Sequence, residues 1–178
     1  MTPSQDKELF RNQFLAVINR QEYTFVREVR CDGIVVALLP FRANTTGQPI
    51  EFLARLEVCP AHGPAPEQCS ITGGLEPEQR VEEAAVQELW EEAGYRATEN
   101  ELISLGKVRP SKALDTTVYL FAVDVTGKKQ LPPPGDGSRF EANATVEWVT
   151  YSQGINIADP LFVTALTRLV NKWVVVQM

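Results

Sequence analysis

The chain has 178 residues, 44% of them apolar, enough to close a core without disulfide or metal staples. Its net charge of -6 excludes a general electrostatic grip on a nucleic acid polymer, because such a grip needs a basic stripe that displaces counterions. Apolar runs such as Gly33–Phe41 and Trp173–Val176 fall far short of the roughly 20 residues that span a bilayer. Cys31, Cys59 and Cys69 cannot all pair, and Met1–Glu8 is polar and acidic where a secretory signal starts basic. A single cytoplasmic domain over residues 1–178, with reduced thiols and no membrane contact, is the expectation.

In chain order, Phe10, Phe14, Val17 and Ile18 recur at helical intervals, so Lys7–Arg20 is predicted to be an amphipathic helix. Strands are predicted at Glu22–Arg30, Gly33–Phe41 and Ile50–Cys59, where β-branched and aromatic residues dominate, with Ala43–Gly47 as a turn between the last two. Pro60–Pro66 lacks ladder donors and reads as a loop. From Arg80 to Ala93, Val81, Ala84, Ala85, Val86 and Leu89 mark a helix, stopped by Gly94. Further strands are expected at Leu102–Lys107, Thr116–Val125 and Thr145–Thr150. Asp159-Pro160 then reads as the cap and first residue of a closing helix that buries Leu161, Phe162, Ala165, Leu166 and Leu169 on one face. Strands mixed with a central and a closing helix imply an α/β (α+β) sheet sandwiched between helices.

Glu88, Glu91 and Glu92 stand at i, i+3 and i+4, which brings their side chains to one helix face, about 5–6 Å apart at Cβ. Carboxylates that close raise one another's pKa unless a cation keeps them ionised. Oxygen ligands suit Mg²⁺ or Mn²⁺ rather than zinc. Taken alone, the cluster fits a solvated acidic face better than a metal site, because Glu is a good surface helix former.

The spacing around the cluster decides between these. Gly73 is followed after five residues by Gln79 and after seven more by Gln87-Glu88-Leu89-Trp90-Glu91-Glu92-Ala93-Gly94-Tyr95. This resembles the Nudix hydrolase box, Gly-x5-Glu-x7-Arg-Glu-U-x-Glu-Glu-x-Gly-U with U apolar, at every spacing, and Thr72–Pro77 and Glu83–Ala85 resemble the family's text. The resemblance runs from about Asp32 to Leu169 and implies a Nudix-type α/β/α sandwich. It implies Glu88 and Glu92 as the main ligands of Mg²⁺ or Mn²⁺, Glu91 as a further ligand or acid-base group, and the Thr72 carbonyl as an additional ligand, with Gly73 and Gly74 beside the substrate. Two residues depart from the box: Gln79 replaces its first Glu, and Gln87 its Arg. One acid and one base are lost together, so a hydrogen bond between the two amides would keep loop and helix in register.

Some Nudix enzymes carry a catalytic base on a loop between two late strands. Here Val125–Ala144 is a long Pro/Gly-rich connection, with Glu141 as the candidate and Asp136 behind it; a surface loop with incidental acids is the alternative. Pro110, sixteen residues beyond Gly94, and its neighbours Arg109 and Lys112 resemble the downstream region of ADP-ribose pyrophosphatases. Arg55 stands on a strand where relatives present a basic residue to the substrate, and Arg109, Lys112 and Arg139 are further candidate phosphate partners, with a solvated surface role as the alternative for each. Cys59, His62 and Cys69 match no standard zinc spacing. Trp90 and Trp148 read as packing residues. The resemblance therefore implies a Mg²⁺-dependent hydrolase of a nucleoside diphosphate linked to another moiety, ADP-ribose or a similar nucleotide sugar foremost. The alternative is a nucleotide-binding module of the same fold with weak or no catalysis. Such relatives dimerise through their N-terminal parts, so Met1–Arg30 is the expected homodimer interface.

Overall fold

A computed structural model of the chain describes residues 6–135 and 143–176. Its first elements correct the sequence reading: Lys7–Arg20 is not a helix. It forms strands β1 (Lys7–Arg11) and β2 (Leu15–Arg20), which with β3 (Tyr23–Glu28) make a three-stranded antiparallel sheet in the order β1-β2-β3. The side chain of Asn12 accepts hydrogen bonds from the Phe14 and Leu15 N–H groups at 2.8 and 2.9 Å, an Asx turn that competes with helix. Gln21 and Glu22, both at positive φ, then close a two-residue hairpin. The apolar residues alternate as a strand requires: Ala16 and Ile18 are buried with Phe25, whereas Phe10 and Phe14 stay 54% and 48% exposed.

The N-terminal sheet holds down the segment that follows Pro110. Val26 donates its N–H to Ala113 O at 2.7 Å, Asp115 N–H donates to Val26 O at 3.1 Å, and the Tyr23 hydroxyl donates to Lys112 O at 2.8 Å. Arg27 links Asp115 to Asp6, and Arg20 also grips Asp6. The Arg20 hydrogen bonds, with help from Arg27, hold the Asp6 carboxyl at about 2. A carboxylate lowered in this way stabilises the folded form at every pH above its unfolded value of about 4, and loses that contribution as pH falls toward the folded value. The Nε resonance of Arg20, which bonds Asp6 Oδ1, is therefore expected to stay constant from neutral pH to about pH 5 and to move toward a solvent-exposed position between about pH 4 and 2. Movement already complete at pH 5 would contradict the tie.

The main sheet takes β4 (Ile34–Ala43), β5 (Pro49–Val58), β6 (Pro66–Cys69), β7 (Ile71–Gly74), β8 (Leu102–Val108), β9 (Thr117–Asp124) and β10 (Thr145–Thr150). Its order is β10-β5-β4-β9-β8, with β6 on β5 and β7 on β4; β4 and β9 run parallel and the other pairs antiparallel. Strand β4 is apolar from Ile34 to Phe41 because both its faces are covered there. Ala37, Leu39 and Phe41 pack against Phe162, Ala165 and Leu166 of helix α3 (Pro160–Val176). Val36 and Leu38 point the other way, onto Ala84, Ala85 and Leu89 of helix α1 (Val81–Ala93). The period of two in one strand thus builds both cores of the α/β/α sandwich. A short helix, α2 (Tyr151–Gly154), precedes α3, whose Asp159 cap accepts from the Leu161 and Phe162 N–H groups.

Strands β6 and β7 lie in the stretch that the sequence reading left unassigned after Pro60–Pro66. The same edge of β4 is shared: Val35–Leu38 pair with β7, and Phe41–Ala43 pair with β5. Pro40 falls in the gap between them, where its missing donor costs no ladder bond. The chain crosses from β5 to β4 at Ser70, whose N–H donates to the Asp159 carboxylate at 2.8 Å. This crossing delivers Thr72 and Gly73 to the face below α1.

Candidate active site

A cavity of about 860 Å³ opens beside β7 and α1, and Thr72, Gly73, Gly74, Glu88, Glu91 and Pro110 all line it. Helical spacing sets Glu88 and Glu91 on its wall, and the strapped segment after β8 brings Pro110 across from them. Gly73 has the tightest role. A Cβ built there would lie 1.8 Å from Oε1 of Glu88, so the carboxylate occupies the space a side chain would take. Gly73→Ala is expected to push Glu88 aside with little loss of stability, because the clash is with the end of a flexible side chain, and to lower kcat by about tenfold or more. Gly94→Ala is expected to do the reverse. Gly94 ends α1 at φ 71 and a Cβ there would strike the Leu131 carbonyl oxygen, so about 1–3 kcal/mol of stability should be lost. Thermal melts and initial rates of the two variants check this contrast.

Glu92 turns away from the cavity into the protein, where its side chain, 5% exposed, forms an ion pair with Arg55, 3% exposed. Arg55 Nε also lies 2.8 Å from Glu57 Oε2. Sequence reasoning placed Arg55 toward the substrate; in the fold it is buried, pairs with Glu57 and Glu92, and is not among the residues lining the cavity. Among the described residues the cation that lines it is Arg30, 2.9 Å from Glu28 Oε1, with Phe14 under its guanidinium. Arg30 ends the predicted strand Glu22–Arg30 and carries no predicted role, because no spacing rule shows how the N-terminal sheet docks against the site. Arg109 is exposed outside the cavity lining, and Lys112 lines a separate recess of about 350 Å³ by the N-terminal sheet. Glu141, Asp136 and Arg139 lie outside the described residues. The connection leading toward them passes over the end of α1: Leu131 N–H donates to Gly94 O and Gly135 N–H to Glu91 O, each at 2.9 Å, and Gly135 lines the cavity.

The two departures from the box meet each other. Gln79 donates from Nε2 to Oε1 of Gln87 at 2.8 Å, and Gln87 donates from its own Nε2 to Oε1 of Glu91 at 3.1 Å. Among the described residues no group of three acidic, Cys or His side chains converges as a ready metal-ligand set. The reason is visible in the individual contacts: Glu88 rests on Gly73, Glu91 leans to Gln87, and Glu92 faces Arg55. One feature fits a hard cation even so. Oε2 of Glu92 is buried with no hydrogen-bond partner among the described residues, which leaves one oxygen of the carboxylate open to a cation while Arg55 holds the other. The remaining candidates are engaged elsewhere. His62 pairs with Glu67 at 3.0 Å. The three cysteines are free, and burial, reinforced by Glu57, pushes the Cys69 thiol well above its ordinary value. Trp90 lies under Arg96, and Trp148 under Arg42 and edge-on to Tyr95.

Residues 35–165 match the NUDIX domain family, well over half of the chain. The chain belongs to the Nudix family. In three dimensions it is similar to the crystal structure of an ADP compounds hydrolase, with a TM-score of 0.69 over 97% of this chain and 93% of that one. The sequence identity is 17%, so this likeness carries the fold and leaves the substrate to the site itself. No curated protein matches the chain in sequence. Within the Nudix frame, Glu88, Glu91 and Glu92 occupy the box positions of the acidic helix, and the Gln79–Gln87 pair stands where the family text has Glu and Arg.

Proposed function

We propose that this Nudix protein is a Mg²⁺- or Mn²⁺-dependent pyrophosphohydrolase that cleaves a nucleoside diphosphate linked to another moiety, with ADP-ribose or a similar nucleotide sugar foremost. The observation that carries the reading is the seat of Glu88 on Gly73 inside a cavity that also gathers Thr72, Glu91 and Pro110. In the net reaction one water adds across the P–O–P bridge: its oxygen bonds to one phosphorus, the bridging oxygen leaves with the other phosphate, and a proton is released. A divalent cation, when bound, would neutralise phosphate charge and make a water acidic enough to attack. Glu88 and the Thr72 carbonyl would hold it from the cavity wall, with Glu91 as a further ligand or a proton acceptor and Glu92 joining them on turning from Arg55 toward the cavity. Arg30 gives the cavity a cation for a nonbridging phosphate oxygen, and the absence of a side chain at Gly73 leaves room for Glu88 to seat on the strand beside it. Glu141 is retained as the proposed base from the late loop.

An unpaired acidic polymer would meet a protein of net charge -6, which disfavours nucleic acid and favours a small nucleotide held by local cations. Leu9, Phe10, Phe14 and Tyr23 leave the N-terminal sheet with exposed apolar side chains, which supports a homodimer through residues 1–30; sedimentation velocity tests it, and a monomer at high concentration rules it out. The catalytic reading is tested by product release from ADP-ribose, nucleotide sugars, dinucleoside polyphosphates and nucleoside triphosphates in Mg²⁺. Cleavage is expected to be fastest for ADP-ribose or a nucleotide sugar. A second reading, a nucleotide-binding module, is favoured by one observation, the loss of the ionic pair at positions 79 and 87; tight binding of ADP-ribose without any product would select it.

A further inference from the structure

We infer that Gln79 and Gln87 form a directional, uncharged relay that positions Glu91, so that this chain orients its second box carboxylate with amide hydrogen bonds where the family text has an acid and a base. The direction follows from its first link. The backbone N–H of Glu76 donates to Oε1 of Gln79 at 3.0 Å, and a backbone N–H is a donor only, which fixes which way the Gln79 amide faces. Its Nε2 must then be the group that reaches Gln87, and it does so onto Oε1 at 2.8 Å. Gln87 is thereby left with Nε2 on its far side, aimed at Glu91 Oε1 at 3.1 Å. Each amide has one acceptor end and one donor end, so the polarity set at Glu76 passes unchanged to Glu91. The loop before α1 and the carboxylate on its third turn are coupled with no net charge in between.

The relay has a specific failure mode. Glu at position 79 still accepts from the Glu76 N–H, but it has no donor for Gln87; Gln87 must flip to serve it and then turns its oxygen toward the Glu91 carboxylate. Arg at position 87 donates in both directions and repairs the defect. This inference rests on the hydrolase reading only for its rate measurement, so two readouts are needed: Mn²⁺ binding to the metal-free protein by electron paramagnetic resonance, and kcat and KM for ADP-ribose in Mg²⁺. Gln79→Glu and the uncharged Gln87→Met are each expected to weaken Mn²⁺ binding and to lower kcat by about tenfold to a hundredfold with KM within about twofold, as loss of an outer-sphere orienting group does. Gln79→Glu combined with Gln87→Arg is expected to recover most of both. Wild-type behaviour of Gln79→Glu in both measurements, or a double variant no better than Gln79→Glu, overturns the relay. If the wild type binds Mn²⁺ and cleaves nothing, the hydrolase reading falls, and the order of Mn²⁺ affinities still decides the relay.

Discussion

Glu92→Gln is expected to reduce kcat by about a hundredfold or more while costing only about 1–3 kcal/mol of stability. The separation follows from where the two oxygens of Glu92 lie. Oε1 faces Arg55, and the carbonyl oxygen of Gln can take over that hydrogen bond. Oε2 is buried without a hydrogen-bond partner among the described residues, and the Gln amide puts an NH₂ group there, a donor that cannot ligate a cation. The variant therefore keeps the structural contact and removes the proposed ligand. Measured kcat, the Mg²⁺ concentration for half-maximal rate, and the melting temperature check all three parts. A Glu92→Gln protein that turns over at the wild-type rate removes Glu92 from the chemistry.

The second large effect is on stability. Arg55→Met is expected to cost about 3–5 kcal/mol, because it strands the ionised Glu92 side chain in a site from which water is excluded. For a chain of this length that is a fall in melting temperature of about 10 °C. Adding Glu92→Leu should recover part of the loss, since the pair is then replaced by apolar groups rather than broken. The experiment also decides between the two roles Arg55 has been given. A buried clamp on Glu92 predicts a large stability loss; a substrate-facing arginine predicts a wild-type melt with a raised KM.

How much of this was legible in the sequence depended on the range of the interactions involved. The box helix and its Gly94 stop are local, set by apolar period and a left-handed cap, and the structure has them at Val81–Ala93. Strands β4, β5, β8, β9 and β10 follow β-branched runs and fall within a few residues of the predicted limits. The α/β/α fold and the Nudix family follow from the same text, as does the meeting of Gln79 with Gln87. The N-terminal segment misled because Phe10, Phe14, Val17 and Ile18 satisfy a helical interval and a broken strand alternation at once; the Asx turn at Asn12 and the hairpin at Gln21-Glu22 settled it for strands. Strands β6 and β7 were missed because four-residue strands beside Pro-rich text carry almost no period. The role of Arg55 was hidden for a different reason: its partner Glu92 lies 37 positions away on another element (92 − 55), and no spacing along the chain reveals a buried ion pair.

The acidic face of α1 is proposed to serve in breaking a diphosphate. Phosphorus NMR of ADP-ribose incubated with the protein tests it most directly. With Mg²⁺ present the two diphosphate signals should give way to equal signals of AMP and ribose 5-phosphate, and chelation of the metal should halt the change. Diphosphate signals that persist in Mg²⁺ and in Mn²⁺, although the ligand is bound, would contradict it.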